Sequence, residues 1–211
     1  MLPEPRIQVL LEPYFHAVPL EICDKIQSYI DLLSIWRKKI ALTTISNEEE
    51  VIRFHFGESI FALSLESFEH GRLADVGSGA GFPGLAIKLL RPNLSVTLFE
   101  PNKKKCAFLN EVTRRLELSD VQILSARFET SNIRSSDLEF VTSRALGRTN
   151  ELLSWSRSTL SSNGRIILWL GAEDAKETTK IHGWWWAQRQ IPGTEKRQIL
   201  VGSLRPDLES P

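Results

Sequence analysis

Three glycines spaced by two, Gly77, Gly79 and Gly81, follow the apolar run Leu73-Ala74-Asp75-Val76 and precede Phe82-Pro83-Gly84. Bare glycines let backbone N–H groups approach a ligand closely and let the chain turn through positive φ. The dinucleotide fingerprint G-x-G-x-x-G differs, because Phe82 stands where its third glycine belongs. An acid, Asp75, stands before the first glycine, with G-x-G-x-G after it, a loop whose bare backbone can take a ligand. The plainer reading of this stretch is a tight strand–helix turn in some α/β protein. A second acid sharpens the matter. Ser95-Val96-Thr97-Leu98-Phe99 is a β-branched and aromatic run that ends in Glu100. Such a strand lies beside the first, and its terminal carboxylate can accept both ribose hydroxyls of an adenosine. An adenosyl cofactor is expected.

The elements that must position these residues alternate strand and helix from Arg72 onward. Strands are expected at 73–76, 94–100, 121–125, 140–143 and 165–170, with helices at 83–91, 103–118, 149–160 and 173–182. Two closing strands, 184–191 and 197–203, flank Pro192-Gly193-Thr194. The fold class is α/β: a Rossmann-like methyltransferase fold with a seven-stranded, mostly parallel sheet and an antiparallel final hairpin. Before it, Pro19 suits a helix start, and Ile22, Ile26, Ile30, Leu33 and Ile40 mark one face, with Trp36 alongside and an end near 41–44. Ser46-Asn47-Glu48-Glu49 has capping-box spacing for a second helix, running through Val51, Phe54, Phe56, Ile60, Leu63 and Phe68 to Gly71. The division expected is a helical cap over 1–70, a methyltransferase domain over 71–205 and a tail over 206–211.

The 211 residues carry 26 Lys+Arg against 26 Asp+Glu, so no global field selects a partner, and a nucleic-acid substrate needs a local basic face. Lys103, Lys104, Lys105, Arg114 and Arg115 on one helix are candidates, with a solvated helix face as the plainer reading. Cys23 and Cys106 form no metal or redox spacing, which suits a reducing compartment. No metal site is expected. Neither a leader nor a membrane-spanning stretch is legible, so a cytoplasmic protein is expected.

Several further motifs fall in order: Trp36-Arg37-Lys38-Lys39-Ile40-Ala41-Leu42-Thr43, His55 with Glu58-Ser59, and Arg91-Pro92. Lys104-Lys105-Cys106-Ala107-Phe108-Leu109, Ser125-Ala126-Arg127-Phe128-Glu129 and Ser143-Arg144-Ala145 follow. Together with the glycine loop, over about residues 25–171, they resemble the glucose-inhibited division protein B family, the bacterial 16S rRNA guanine-N7 methyltransferases. The resemblance implies S-adenosylmethionine as cofactor and a guanine in the decoding region of 16S rRNA, naked or in the 30S particle, as substrate. It also implies a single-subunit enzyme.

By the same resemblance Gly77 and Phe82 meet the cofactor, Phe128 and Glu129 flank its adenine, and Arg144 completes the pocket. Asp75, Gly79, Gly81 and Glu100 join them from the loop reading. Arg127 and Arg144 suit a grip on phosphate or guanine O6 better than proton transfer. His55 is the remaining catalytic candidate, although a histidine on an apolar helix is more often a core residue; Phe128 as core and Glu129 as a helix-start acid are the corresponding plain readings. Two positions depart from the family: Phe54 stands where an Arg usually precedes the His, and Leu170 where Lys commonly precedes Gly171. Both remove positive charge. The rival functions are a methyltransferase of a small molecule or protein, a non-catalytic RNA-binding assembly factor, and, weakest, a dehydrogenase.

Overall fold

A computed structural model describes residues 2–131, 133, 137–144 and 147–205. Ala145 of the Ser143-Arg144-Ala145 motif and the 206–211 tail lie outside the described residues. The sheet has seven strands: β1 Gly71–Val76, β2 Leu94–Phe99, β3 Val121–Leu124, β4 Leu138–Arg144, β5 Leu160–Gly171, β6 Trp184–Gln190 and β7 Arg197–Leu204. Their spatial order is β3-β2-β1-β4-β5-β7-β6. β1 pairs in parallel with β2 on one side and β4 on the other, while β7 runs antiparallel to both β5 and β6. The antiparallel strand is therefore β7, one position in from the edge. Because the chain steps from β1 outward to β2 and β3 and then returns as β4, the order reverses at β1/β4, where ligands bind outside the carboxyl ends of strands.

These strands form for the reasons their sequences suggest: β1 and β2 bury apolar side chains under helices on both faces, with Leu73, Ala74, Val76, Val96, Leu98 and Phe99 at 1% exposure or less. β5 starts earlier than the 165 expected, at Leu160, and reaches β4 through a register shift between Leu138 and Phe140. The helix Lys103–Arg115 begins where Asn102 caps it, its side chain accepting from the N–H groups of Lys104 and Lys105.

Ahead of the sheet come α1, Glu4–Leu11, and α2, Leu20–Trp36. α2 stops at Trp36, short of the 41–44 expected. The stripe Ile26, Ile30 and Leu33 is buried as its period requires, but Trp36 is only partly covered, edge-on to Phe108 at 5.8 Å. The second helical stretch differs more. It opens at Asn47, whose side chain accepts from Glu50 N–H, so the cap is one residue later than Ser46. It then passes from the α-helix Glu48–Val51 through a π-helical Ile52–Gly57 and the short α-turn Glu58–Ile60 to a 3-10 turn at Phe61–Ser64. Gly71 does not close it, being the first residue of β1. The π segment carries Phe54, His55 and Phe56, and such irregularities concentrate at functional sites.

Tyr29 of α2 fastens the helices to the glycine loop. Its ring is fully buried, stacked on Phe82 at 5.3 Å and edge-on to Phe56 at 5.3 Å, and its hydroxyl donates to the Ala80 carbonyl at 2.6 Å. Tyr29→Ala should cost about 3–5 kcal/mol, the range for deleting a buried aromatic. Chemical denaturation checks this, and cofactor affinity should fall with it because the loop loses its anchor. Tyr29→Phe, which removes only the hydrogen bond, should cost about 1 kcal/mol.

Candidate active site

Two cavities open at the switch point. The smaller, about 200 Å³, is a slot between the loop and the end of β2, lined by Val76, Gly77, Phe99, Pro101, Arg148 and the stretch 126–129. Phe128 is buried in its wall, braced edge-on by Trp155 at 5.4 Å. Glu129 lines the slot as well and pairs with the Arg148 guanidinium. Arg127 also belongs here rather than to the larger cavity.

The carboxylate of Glu100 is nearly buried and ties the slot to the loop: Oε2 accepts from Gly79 N–H at 2.9 Å and Oε1 from Asn102 N–H at 2.8 Å. Each oxygen keeps a second lone pair, so the expected ribose contacts use acceptor capacity beyond those two bonds. Gly79 has φ +57°, and a Cβ built there would meet nothing closer than the Gly77 carbonyl oxygen at 3.8 Å. The loop thus presents bare backbone to open space beside an acid and an aromatic slot. An adenosyl group fits this cradle: apolar walls for adenine, acceptors for ribose, a side-chain-free rim for the chain beyond.

The other loop residues face inward. Gly81 is required by packing, since its Cβ would lie 2.1 Å from the Tyr29 hydroxyl, at φ +87°. Asp75 is fully buried under the loop. Thr142 Oγ1 donates to its Oδ1 at 2.9 Å, while Oδ2 has no hydrogen-bond partner. Burial raises its pKa to about 6, against the opposing Thr142 hydroxyl. Gly84 packs directly on this carboxylate. Phe82 lies between Tyr29 on one face and His55 at 4.9 Å, preceding a cis peptide to Pro83.

The larger cavity, about 400 Å³, is lined by Phe54, His55 and Glu58 from the π segment and its end, by Arg144 of β4, by Trp169 to Gly171 of β5, and by Asp174 and Arg197. Arg144 is committed to structure. Nη1 donates to the Phe54 carbonyl at 3.0 Å, Nη2 donates to His55 Nδ1 at 2.9 Å, and the guanidinium lies 5.7 Å from the Phe82 ring centre. Arginine only donates, so Nδ1 must be the bare acceptor. The ring proton then sits on Nε2, which donates to Thr43 Oγ1 at 2.7 Å. Burial, with Arg144 and Arg197 nearby, lowers the His55 pKa to about 3. His55 is a neutral, doubly engaged spacer between Arg144 and Phe82.

Sequence reasoning missed Arg197, Trp169, Asp174 and the part played by Glu58. Arg197 sits on β7 opposite Gly171 and extends over Phe54 with 5.1 Å to the ring centre; its Nη2 is 2.6 Å from Glu58 Oε1. Burial pushes the Glu58 carboxyl pKa up, and Arg197 then Arg144 oppose the shift. Away from both cavities, Lys104 and Lys105 share a cleft of about 430 Å³ with Lys39. Arg114 is instead taken up by Glu111 in a two-point pair. Among the described residues no group of three or more His, Cys, Asp or Glu would hold a metal, and no helix is long and apolar enough to cross a membrane.

Comparison with known proteins agrees with this geometry. The family model for rRNA small subunit methyltransferase G matches residues 22–193. A relative of that name from Desulfitobacterium hafniense is 36% identical, covering 88% of this chain and 73% of its own length. One from Syntrophotalea carbinolica is 33% identical, covering 82% and 80%. Among solved structures, a putative S-adenosyl-L-methionine-dependent methyltransferase from Methanococcus maripaludis shares the fold. Its TM-score is 0.62 at 13% identity, over 85% of this chain and 94% of that one. By sequence, the chain belongs to the rRNA small subunit methyltransferase G family, enzymes that use S-adenosylmethionine.

Proposed function

We propose that the protein transfers the methyl group of S-adenosylmethionine to N7 of a guanine in 16S rRNA, acting as a cytoplasmic monomer without a metal. The cofactor supplies an electrophilic methyl on a sulfonium. Gly77, Gly79, Glu100, Phe128 and Glu129 hold its adenosyl end in the slot, with Asp75, Gly81 and Phe82 fixing the loop from beneath. The acceptor base enters the larger cavity. Arg144 and Gly147 line the larger cavity and Arg148 the slot.

The observation that carries this reading is the family match over residues 22–193, and His55, with both ring nitrogens engaged, offers no free base that would argue for another acceptor. N7 has a lone pair and no proton, so its methylation needs alignment and exclusion of water, not a base. Arg144 aligns the wall formed by Phe54, His55 and Phe82. Arg127 at the slot rim and the Lys39, Lys104 and Lys105 cleft supply phosphate contacts.

Transfer of tritium from labelled cofactor to 16S rRNA, naked and in 30S particles, tests the reading. Label is expected in rRNA, and its absence from both substrates with cofactor binding intact would favour the assembly-factor rival. The single-turnover rate should show no ionisation attributable to His55 near neutral pH at saturating cofactor and RNA. A wild-type step near pH 7 that vanishes in His55→Ala would mean a histidine base and a different acceptor atom. Stability carries the opposite signature. The folded His55 pKa of about 3 lies below the unfolded 6.5, so the unfolded chain binds more protons between them. The contribution is complete above 6.5 and is lost as pH falls toward 3.

A further inference from the structure

We propose that Arg197 and Asp174 read the Watson–Crick edge of the acceptor base in the larger cavity, Arg197 donating to guanine O6 and Asp174 accepting from N1–H and the N2 amine. The inference rests on the rRNA guanine reading above and adds the residues that select the base. Both side chains line the cavity, and the backbone brings them together. Arg197 is the register partner of Gly171 across the β5–β7 ladder, and Asp174 follows in the first turn of the helix Ala172–Thr178. Gly171 has no side chain to separate them, and a Cβ there would be 3.8 Å from Asp174 Oδ2.

Each has bonding capacity to spare. Glu58 pairs with Arg197 at Nη2, and the half-exposed guanidinium makes no hydrogen bond to another group among the described residues. Stacking over Phe54 and the ion pair to Glu58 fix the plane of the guanidinium, so its remaining N–H groups are preorganised donors. Asp174 is exposed, and no hydrogen bond or ion pair occupies its carboxylate among the described residues. Phe54, partly exposed in the cavity, offers an apolar edge against which a base can lie.

A donor beside an acceptor matches guanine, whose Watson–Crick edge carries O6, then N1–H and the N2 amine. Adenine inverts the pattern, placing its amine against Arg197 and its bare N1 against Asp174. Reading this edge leaves N7 free, which methylation at that atom requires.

Transcripts carrying guanosine, inosine (which lacks only the N2 amine) or adenosine at the mapped target position test the assignment. Wild type should methylate the inosine transcript about tenfold more slowly than guanosine, the loss of the one contact made by the N2 amine. In Asp174→Ala, an exposed helical position that keeps the fold, the guanosine rate should drop about tenfold and the guanosine-to-inosine ratio should fall toward one. Cofactor affinity by calorimetry should be unchanged. Arg197→Lys preserves the charge facing Glu58 but loses the planar fork, and should raise KM for RNA with a smaller change in kcat. Asp174→Ala with wild-type rate and a wild-type guanosine-to-inosine ratio overturns the proposal while leaving the rRNA reading intact. A wild type that binds cofactor but methylates none of the transcripts or 30S particles removes both.

Discussion

Gly79→Val should abolish cofactor binding while leaving the protein folded. At φ +57° a β-branched residue is strained, so the loop must either shift or place the new side chain in the open space beside the slot. Either outcome is felt by the ligand. Gly79 N–H donates to Glu100, and displacing it frees the carboxylate proposed to take the ribose. The core is not involved, because the built Cβ meets only the Gly77 carbonyl at van der Waals distance. Calorimetric affinity should fall by at least two orders of magnitude, with a thermal midpoint lowered only by the local backbone strain. Unchanged affinity would remove the loop from the binding site. Gly81→Ala makes the contrast: its Cβ collides with Tyr29, so the loss should appear first in stability.

Arg144→Ala and Arg144→Lys should both lower the methyl-transfer rate by about a hundredfold, a size expected when two charge-assisted hydrogen bonds that align a site are lost together. The guanidinium spans the Phe54 carbonyl and His55 Nδ1 at once. A lysine ammonium reaches one of these points and leaves the other without its donor, so conserving charge does not conserve geometry. In Arg144→Ala His55 loses its positive neighbour, so its pKa should rise from about 3, with burial and Arg197 still holding it below its ordinary value. Proton NMR of the imidazole detects that shift, and single-turnover kinetics reads the rate. A Lys variant with wild-type transfer would show that Arg144 acts as a point charge only.

Much of the scaffold was legible because local pattern and burial agree. The runs before Gly77 and Glu100 became β1 and β2, Asn102 and Gly84 sit at helix starts, and the closing strands paired. The helical stretch 48–64 was less legible: Phe54, His55 and Phe56 follow one another in a π turn, and no 3.6-residue period announces that. Trp36 fits the stripe but ends its helix, so it is half covered where the period implied burial.

The site divides in the same way. Gly77, Gly79 and Glu100 are legible as candidates because glycine spacing and strand-end acids are local signals, whereas Phe128 is marked only by the family resemblance. Gly81 carries the same spacing for a different reason, the hydroxyl of Tyr29 fifty-two positions earlier, which only packing reveals. Arg197 was missed since nothing in its own neighbourhood marks it. It reaches the cavity only because β7 inserts between β5 and β6 and sets it opposite Gly171.

The central claim is that this cleft methylates guanine N7 in 16S rRNA. The most direct measurement is chemical mapping of rRNA after incubation with protein and cofactor. Borohydride reduction followed by aniline breaks the chain at N7-methylguanosine and leaves bases methylated at other positions intact. The account predicts one new break, at a guanosine of 16S rRNA, lost in Gly79→Val and in Arg144→Ala. Label incorporated into the RNA without any such break would place the methyl on another atom and contradict it.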